Sequence, residues 1–97
     1  MLETNKINAA IQVLPQGVDD VYAVVDSAIA IIAQSGVKYR VCPFETVIET
    51  DWQKAMQIIE DVKNEVLKKA PSTLINLKLQ AAAEKDVSIE EKTNKYD

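Results

Sequence analysis

The sequence predicts a small α+β domain with four strands and two helices in the order βαββαβ. Two stretches alternate between apolar and polar residues, which is the period of a strand. Two others place apolar residues three or four positions apart, which is the period of an amphipathic helix. Between the helical stretches, a proline separates two short runs that are typical of paired strands. The 97 residues suffice for one such domain and are too few for two, so we expect a single domain over 1–97 with a core of about 6–80.

Composition excludes several classes of protein. The hydrophobic share of 47% is ordinary for a folded domain, and the formal charge of -4 disfavours binding to nucleic acid. No apolar run reaches the roughly 18 residues that a membrane span needs, and the start, MLETNKINAA, lacks the apolar core of a secretory signal. The single cysteine permits no internal disulfide. We therefore expect a cytoplasmic protein that does not associate with a membrane.

The first strand is predicted over Lys6–Leu14, and Pro15-Gln16-Gly17 is expected to end it because proline and glycine interrupt regular structure. Period-two alternation places one set of residues toward the core, namely Ile7, Ala9, Ile11 and Val13. The other face then carries Lys6, Asn8, Ala10 and Gln12.

The first helix follows, with Asp19 as its expected N-cap and Asp20 favourably placed near the positive end of the helix dipole. Gly36 is a natural C-terminal stop. The apolar stripe consists of Val21, Val24, Val25, Ala28, Ile29 and Ile32.

A hairpin is predicted next, with strands Val37–Cys42 and Thr46–Glu49 joined by Pro43-Phe44-Glu45. Pro43 marks a strand end, because proline fixes its own φ and donates no backbone hydrogen bond.

The second helix is expected to begin at Thr50, since Thr50-x-x-Gln53 has the spacing of a capping box, and to end before Pro71. Its predicted buried stripe is Trp52, Ala55, Ile59, Val62 and Val66. The last strand is Ser72–Gln80, where alternation resumes. Residues 81–97 are highly charged, which suggests a solvated tail, yet Ser88-x-x-Glu91 repeats the capping-box spacing and favours a short terminal helix.

Two right-handed crossover units of this length interleave into a four-stranded antiparallel sheet with both helices on one face, the ferredoxin-like sandwich. The other face of the sheet is then expected to be uncovered. It would be mixed in polarity, and such a face commonly pairs with another copy or encloses a ligand between copies. We predict a homo-oligomer, a tetramer in preference to a dimer.

Three stretches resemble the thiamine-binding YkoF-like family, which consists of small ferredoxin-like proteins. They are KINAAIQVLPQG, the hairpin SGVKYRVCPFETVIETDW with its spaced Tyr39, Pro43, Thr46 and Glu49, and the terminal DVSIEEK. The resemblance implies a non-catalytic protein that binds thiamine or its hydroxymethylpyrimidine moiety and assembles through its sheets.

The chemistry of an aminopyrimidine suggests which residues of this chain would bind it. Glu49 would accept from the amino group, while Asn8, Gln12 or Thr46 would complete the polar edge. Aromatic faces for stacking and for the thiazolium cation would come from Tyr39, Phe44 or Trp52, although Trp52 is more often a core residue at such a position. Alternation places Glu49 and Thr46 on opposite faces of their strand, so a bulge would be needed to bring all these groups onto one surface.

Other roles are open for the same residues. Tyr39 is in phase with Val37 and Val41 and would equally cover the core, and Glu49 would equally stabilise the adjoining helix start. Arg40 is expected at a surface or interface, and Cys42 is expected to be a small, partly buried apolar residue.

Enzymatic functions find little support. The chain has no histidine and only two glycines, so it lacks the commonest general base and cannot form a glycine-rich phosphate loop. We expect no catalysis, no cofactor and no metal. The alternative to a binding protein is an oligomeric interaction or regulatory domain of the same fold without a small-molecule ligand.

Overall fold

The computed structural model describes residues 5–97. The elements in chain order are β1 (Ile7–Gln16), α1 (Val21–Gln34), β2 (Lys38–Val41), β3 (Thr46–Thr50), α2 (Trp52–Leu67), β4 (Ser72–Gln80) and α3 (Ile89–Thr93), followed by a 3₁₀ helix over Asn94–Tyr96.

The four strands form one antiparallel sheet in the order β2-β3-β1-β4. This order, with the two crossovers running through α1 and α2, is the predicted ferredoxin-like sandwich. The fold class is therefore confirmed, including the boundaries of β4. In the register, Ala9 lies opposite Ile48 on one side and Leu79 on the other, so apolar residues of neighbouring strands share a face.

The core lies between that face of the sheet and the two long helices. The strands and the helices contribute to it at the predicted periods, and the buried members are Ile7, Ala9, Ile11, Val24, Ala28, Ile32, Ile48, Ala55, Ile58, Val62, Val66 and Ala70. The predicted stripe of α2 is shifted slightly, because Ile58 is buried and Ile59 only partly so.

Pro15 does not end β1, contrary to expectation. The strand runs on to Gln16, and Pro15 pairs with Thr73 of β4. Beyond Ile11, β1 has lost its partner β3, so one of its edges is free and a residue without an N–H is tolerated there. The stop is Gly17, whose φ of 77° favours glycine and where a Cβ would meet Pro71 Cγ at 2.7 Å.

Both long helices are capped one residue later than predicted. Asp20, rather than Asp19, accepts from the backbone N–H of Ala23 at 3.0 Å. Asp51, rather than Thr50, accepts from Lys54 N at 2.8 Å. Thr50 is instead the buried last residue of β3, where it pairs with Ile7. Asp51 therefore caps α2 in place of Thr50, because Thr50 belongs to the strand and Asp51 follows it.

Trp52 was expected in the core and is 45% exposed. It occupies the first position of α2, before any of the buried residues of that helix. Ala55 is the first residue of α2 that is fully buried, so the apolar stripe begins one turn later than the prediction.

The C-terminal residues form the predicted short helix, with Ser88 Oγ accepting from Glu91 N at 3.0 Å. We call residues 86–97 the C-terminal segment. It packs on the face of the sheet opposite α1 and α2, which we call the open face, and buries Val87 and Ile89 there. The expectation that this face is uncovered was therefore wrong at the end of the sheet that carries Asn8. Alternation along the strands revealed the face but gave no sign of what would cover it.

Candidate functional site

A row of four residues crosses the middle of the open face. In the register of the sheet, Arg40 of β2 lies opposite Val47 of β3, Val47 opposite Ala10 of β1, and Ala10 opposite Lys78 of β4. Residues directly opposite one another on neighbouring strands project to the same face. The row therefore places two small apolar side chains at the centre of the face and one cation on each outer strand.

The next row along the sheet supports the C-terminal segment. It consists of Lys38, Glu49, Asn8 and Gln80, again in register across the four strands. Asn8 is only 6% exposed, although it belongs to the open face. Its Nδ2 donates to the carbonyl of Val87 at 3.0 Å, and its Oδ1 accepts from Lys92 Nζ at 2.8 Å.

Glu49 makes a parallel contact one strand away. Its Oε1 accepts from the backbone N–H of Ile89 at 2.7 Å, at the start of α3. Lys38 lies opposite Glu49 on the neighbouring strand and provides a positive charge near this carboxylate. Lys38 also forms an ion pair with Glu90 of the C-terminal segment. Two of the polar residues predicted to meet a ligand, Asn8 and Glu49, thus hold the C-terminal segment on the sheet.

Further contacts fix both ends of the segment. Val87 N donates to the carbonyl of Lys6 at 2.9 Å, and Lys6 N donates to Asp86 Oδ1 at 2.7 Å. At the far end, Arg40 donates to Asp97 Oδ1 at 3.1 Å. The segment therefore spans the open face from β1 to β2.

A cleft of about 560 Å³ lies between the open face and this segment. Its floor includes the central pair Ala10 and Val47, together with Asn8. Its other wall comes from the C-terminal segment, through Ile89, Lys92, Thr93, Tyr96 and Asp97. A volume of this size is within the roughly 300–1,000 Å³ of small-molecule sites.

The charged groups that line the cleft are mostly cationic. Arg40, Lys78 and Lys92 contribute positive charge, and Asp97 is the carboxylate among the lining residues. This local balance is opposite in sign to the net charge of -4 on the whole chain.

The six residues predicted to bind a ligand do not meet in one place. Asn8 lines the cleft, while Gln12 lies two rows further along the open face, where its Oε1 accepts from Asn76 Nδ2 at 3.0 Å. Glu49 is beside the cleft, in contact with α3. Thr46 and Tyr39 lie on the opposite face, because their partners in the register are Ile11 and Ile48 of the core.

Phe44 is 81% exposed at the tip of the β2–β3 turn, which Cys42 N closes by donating to the carbonyl of Glu45 at 2.9 Å. Together with Thr46 it lines a second, smaller cavity of about 90 Å³ between α1 and the turn, which we call the hairpin crevice. That volume corresponds to about three water molecules, so a thiamine-sized ligand would require the crevice to widen.

Sequence reasoning missed most of the cleft. Arg40 was assigned to a surface or interface, and Lys78, Lys92 and Tyr96 were not singled out. The capping-box spacing at Ser88 was the available signal, because it predicted the helix that forms one wall. The spacing did not indicate where that helix would lie.

Comparison with known proteins assigns the chain to a family. A family model described as "Thiamine-binding protein" matches residues 9–97. The chain belongs to this thiamine-binding protein family. The match runs from β1 through the C-terminal segment and thus includes nearly all residues that line the cleft. The resemblance seen in the sequence is confirmed.

Several proteins are similar to this chain over most of its length. A domain of unknown function, DUF77, from Bacillus cereus superposes with a TM-score of 0.92 at 28% identity, over 100% of this chain and 95% of that one. A Thermotoga maritima protein for which a role in thiamine biosynthesis or salvage is proposed has a TM-score of 0.88 at 30% identity, over 95% of this chain and 99% of that one. A UPF0045 protein of Clostridium perfringens is 29% identical over 92% of this chain and 95% of its own length.

Within residues 5–97, no cluster of three or more histidine, cysteine or acidic side chains is arranged to hold a metal ion. None of the helices described is long and apolar enough to cross a membrane.

Proposed function

We propose that this protein binds thiamine or its hydroxymethylpyrimidine moiety and releases it unchanged, in salvage, transport or sensing. The observation that carries the proposal is membership of the thiamine-binding protein family over residues 9–97. The Thermotoga maritima relative with a proposed role in thiamine biosynthesis or salvage supports the same class of ligand.

The open-face cleft is the proposed site. Ala10 and Val47 give a pyrimidine ring a flat apolar floor between the strands, and Tyr96 on the opposite wall provides an aromatic ring. Asn8 offers an amide at the edge of the floor, although both ends of that amide already contact the C-terminal segment. A ligand that uses Asn8 therefore either shares these hydrogen bonds or replaces the contact with Lys92.

The other residues predicted to bind a ligand lie at two different locations relative to the cleft. Glu49 and Gln12 flank the floor on the open face, so they would contact a ligand that extends along the strands. Phe44 and Thr46 line the hairpin crevice, with Tyr39 on the same face of the sheet, so they would contact a ligand only at that second location.

Self-association is part of the proposal, and we propose a tetramer. Leu14 and Leu74 lie opposite each other on the open face, beyond the reach of the C-terminal segment, and are 40% and 52% exposed. A second copy covering this pair would remove apolar surface from water. The same pair favours the alternative function, an oligomeric interaction domain whose cleft holds no ligand.

A thermal-shift panel of thiamine, its phosphates and hydroxymethylpyrimidine tests the function. A ligand that binds only the folded protein raises the melting temperature as its concentration exceeds Kd. We expect at least one pyrimidine compound to raise it in a dose-dependent way. A panel without any shift at millimolar concentrations would favour the interaction domain.

A further inference from the structure

We propose that the open-face cleft selects a planar heteroaromatic ring that carries an anionic group, such as a phosphate ester, over a ring that carries a fixed positive charge. The inference rests on the proposed function for the ring and adds the charge of the ligand. Within the thiamine compounds, it favours the phosphate ester of the hydroxymethylpyrimidine over free thiamine with its cationic thiazolium.

The floor of the cleft offers one position for the ring, at its apolar centre, and another for the anion, beside the cations of the outer strands. Ala10 and Val47 are neighbours at the centre of the row, and their small side chains leave room for a ring to lie flat. Strands are about 4.8 Å apart, so the backbones at Arg40 and Lys78 are roughly 14 Å apart across the row. A ring on the central pair is therefore flanked by two long cationic side chains, either of which reaches a substituent at its edge.

The hydrogen bonds of the cleft leave positive charge uncompensated. Arg40 is paired with Asp97 at 3.1 Å, which neutralises one cation. Lys92 donates to the amide oxygen of Asn8, a neutral acceptor, so this contact orients the ammonium group without cancelling its charge. Lys78 approaches Glu45 at 4.0 Å, the outer limit of an ion pair, and its side chain is 82% exposed.

These charges act on a ligand in a partly enclosed space. Two cations on different walls, Lys78 from the sheet and Lys92 from the C-terminal segment, converge on the cleft. Three cations and one carboxylate line the cleft, and a cleft with a net positive lining concentrates anionic ligands even when the net charge of the protein is negative. An anionic substituent would gain from both lysines, whereas a thiazolium would be repelled by both.

The test is calorimetric titration with four compounds: hydroxymethylpyrimidine, its phosphate ester, thiamine and inorganic phosphate. We expect the ester to bind at least about tenfold more tightly than the free alcohol, and thiamine more weakly than the ester. The advantage of the ester should shrink as salt is raised from about 0.05 to 0.5 M, because exposed charges are screened.

Two lysine variants and one control variant assign the effect to the cleft. Lys78→Met keeps the length of the side chain and removes the charge, and it should lower the ratio of the ester's affinity to the alcohol's affinity, both measured in the variant, about threefold or more. Lys54→Met makes the same change in net charge on the exposed face of α2, away from the cleft, and should leave both affinities unchanged. Lys92→Met should act like Lys78→Met, with added loosening of the C-terminal segment.

Each contrary result has a distinct meaning. If the alcohol binds and the ester binds no more tightly, the inference about charge is wrong and the proposed function stands. If inorganic phosphate binds as tightly as the ester, the ring contributes nothing and the inference is equally wrong. If no pyrimidine compound binds, the proposed function itself fails and the inference falls with it.

Discussion

Replacing Glu49 with alanine should release the C-terminal segment while leaving the sheet folded. The carboxylate accepts from Ile89 N at 2.7 Å, and a hydrogen bond to a charged group contributes about 1.5–3 kcal/mol. Apolar burial alone would hold the segment only weakly. Its two buried side chains, Val87 and Ile89, stabilise docking by about 1.5–3 kcal/mol each, whereas ordering each backbone residue costs about 1–2 kcal/mol. The polar contacts therefore decide whether the segment stays docked.

Amide hydrogen exchange measured by NMR reports the docking directly. A loss of 1.5–3 kcal/mol in the free energy of opening corresponds to exchange that is about ten- to a hundredfold faster. We expect this acceleration at Val87, whose amide is hydrogen-bonded only while the segment is docked, and at Glu91, whose amide is hydrogen-bonded only while the terminal helix is formed. The amide of Ile89 loses its acceptor in the variant itself, so it does not report docking. The central amides of β1 should change far less, because they open only when the domain unfolds.

Glu60→Ala is the matched control, since Glu60 is an exposed carboxylate on α2, away from the segment. Unchanged exchange at Val87 and Glu91 in Glu49→Ala would refute the anchoring role, because these two amides keep their own acceptors in the variant. Equal acceleration in the segment and in β1 would instead show that the segment does not open separately from the domain. Glu49→Gln then tests the role predicted from the sequence: lower affinity for hydroxymethylpyrimidine with unchanged exchange at Ile89 would mean that Glu49 contacts the ligand directly.

Three further predictions concern the hairpin crevice, self-association and the absence of catalysis. Phe44→Ala should leave the affinity for hydroxymethylpyrimidine unchanged in calorimetric titrations, because Phe44 lies outside the open-face cleft; a loss of threefold or more would place the ligand in the hairpin crevice instead. Light scattering at micromolar concentration should report a tetramer that Leu74→Glu weakens by burying a charge against the second copy, whereas a wild-type monomer would contradict self-association. Mass spectrometry after incubation with thiamine and its phosphates should find each compound intact, and repeated turnover of any of them would reveal a catalytic function.

The sequence predicted the architecture because each element has its own periodic signal. The alternation of Ile7, Ala9 and Ile11 and the stripe of Val24, Ala28 and Ile32 each identify a core face without knowledge of the rest of the chain. The N-caps were harder to place, because two residues able to cap stand side by side at each helix start: Asp19 and Asp20 at α1, and Thr50 and Asp51 at α2. The local sequence does not show which of two neighbouring residues caps a helix. At α2 the choice depends on where the preceding strand ends, because Thr50 belongs to β3 and leaves Asp51 to cap the helix.

The site was less predictable than the fold because its parts are far apart in the sequence. Asn8 and Glu49 were identified as polar residues on a sheet face, but their partners are Val87, Lys92 and Ile89, about 80 and 40 positions away. The local sequence around an asparagine is the same whether its side-chain amide binds another segment of the chain or a ligand. The short helix after Ser88 was predictable, whereas the face on which it packs follows from the tertiary structure alone.

Blocking the open-face cleft tests the central claim most directly. Ala10→Phe would place a ring on the floor where the ligand is proposed to lie, and Ala30→Phe adds the same ring on the exposed surface of α1. Calorimetric titration with hydroxymethylpyrimidine and its phosphate ester should show at least a tenfold loss of affinity in Ala10→Phe and wild-type affinity in Ala30→Phe, with both variants folded by circular dichroism. Wild-type affinity in Ala10→Phe would contradict the account, because the ligand would then bind elsewhere.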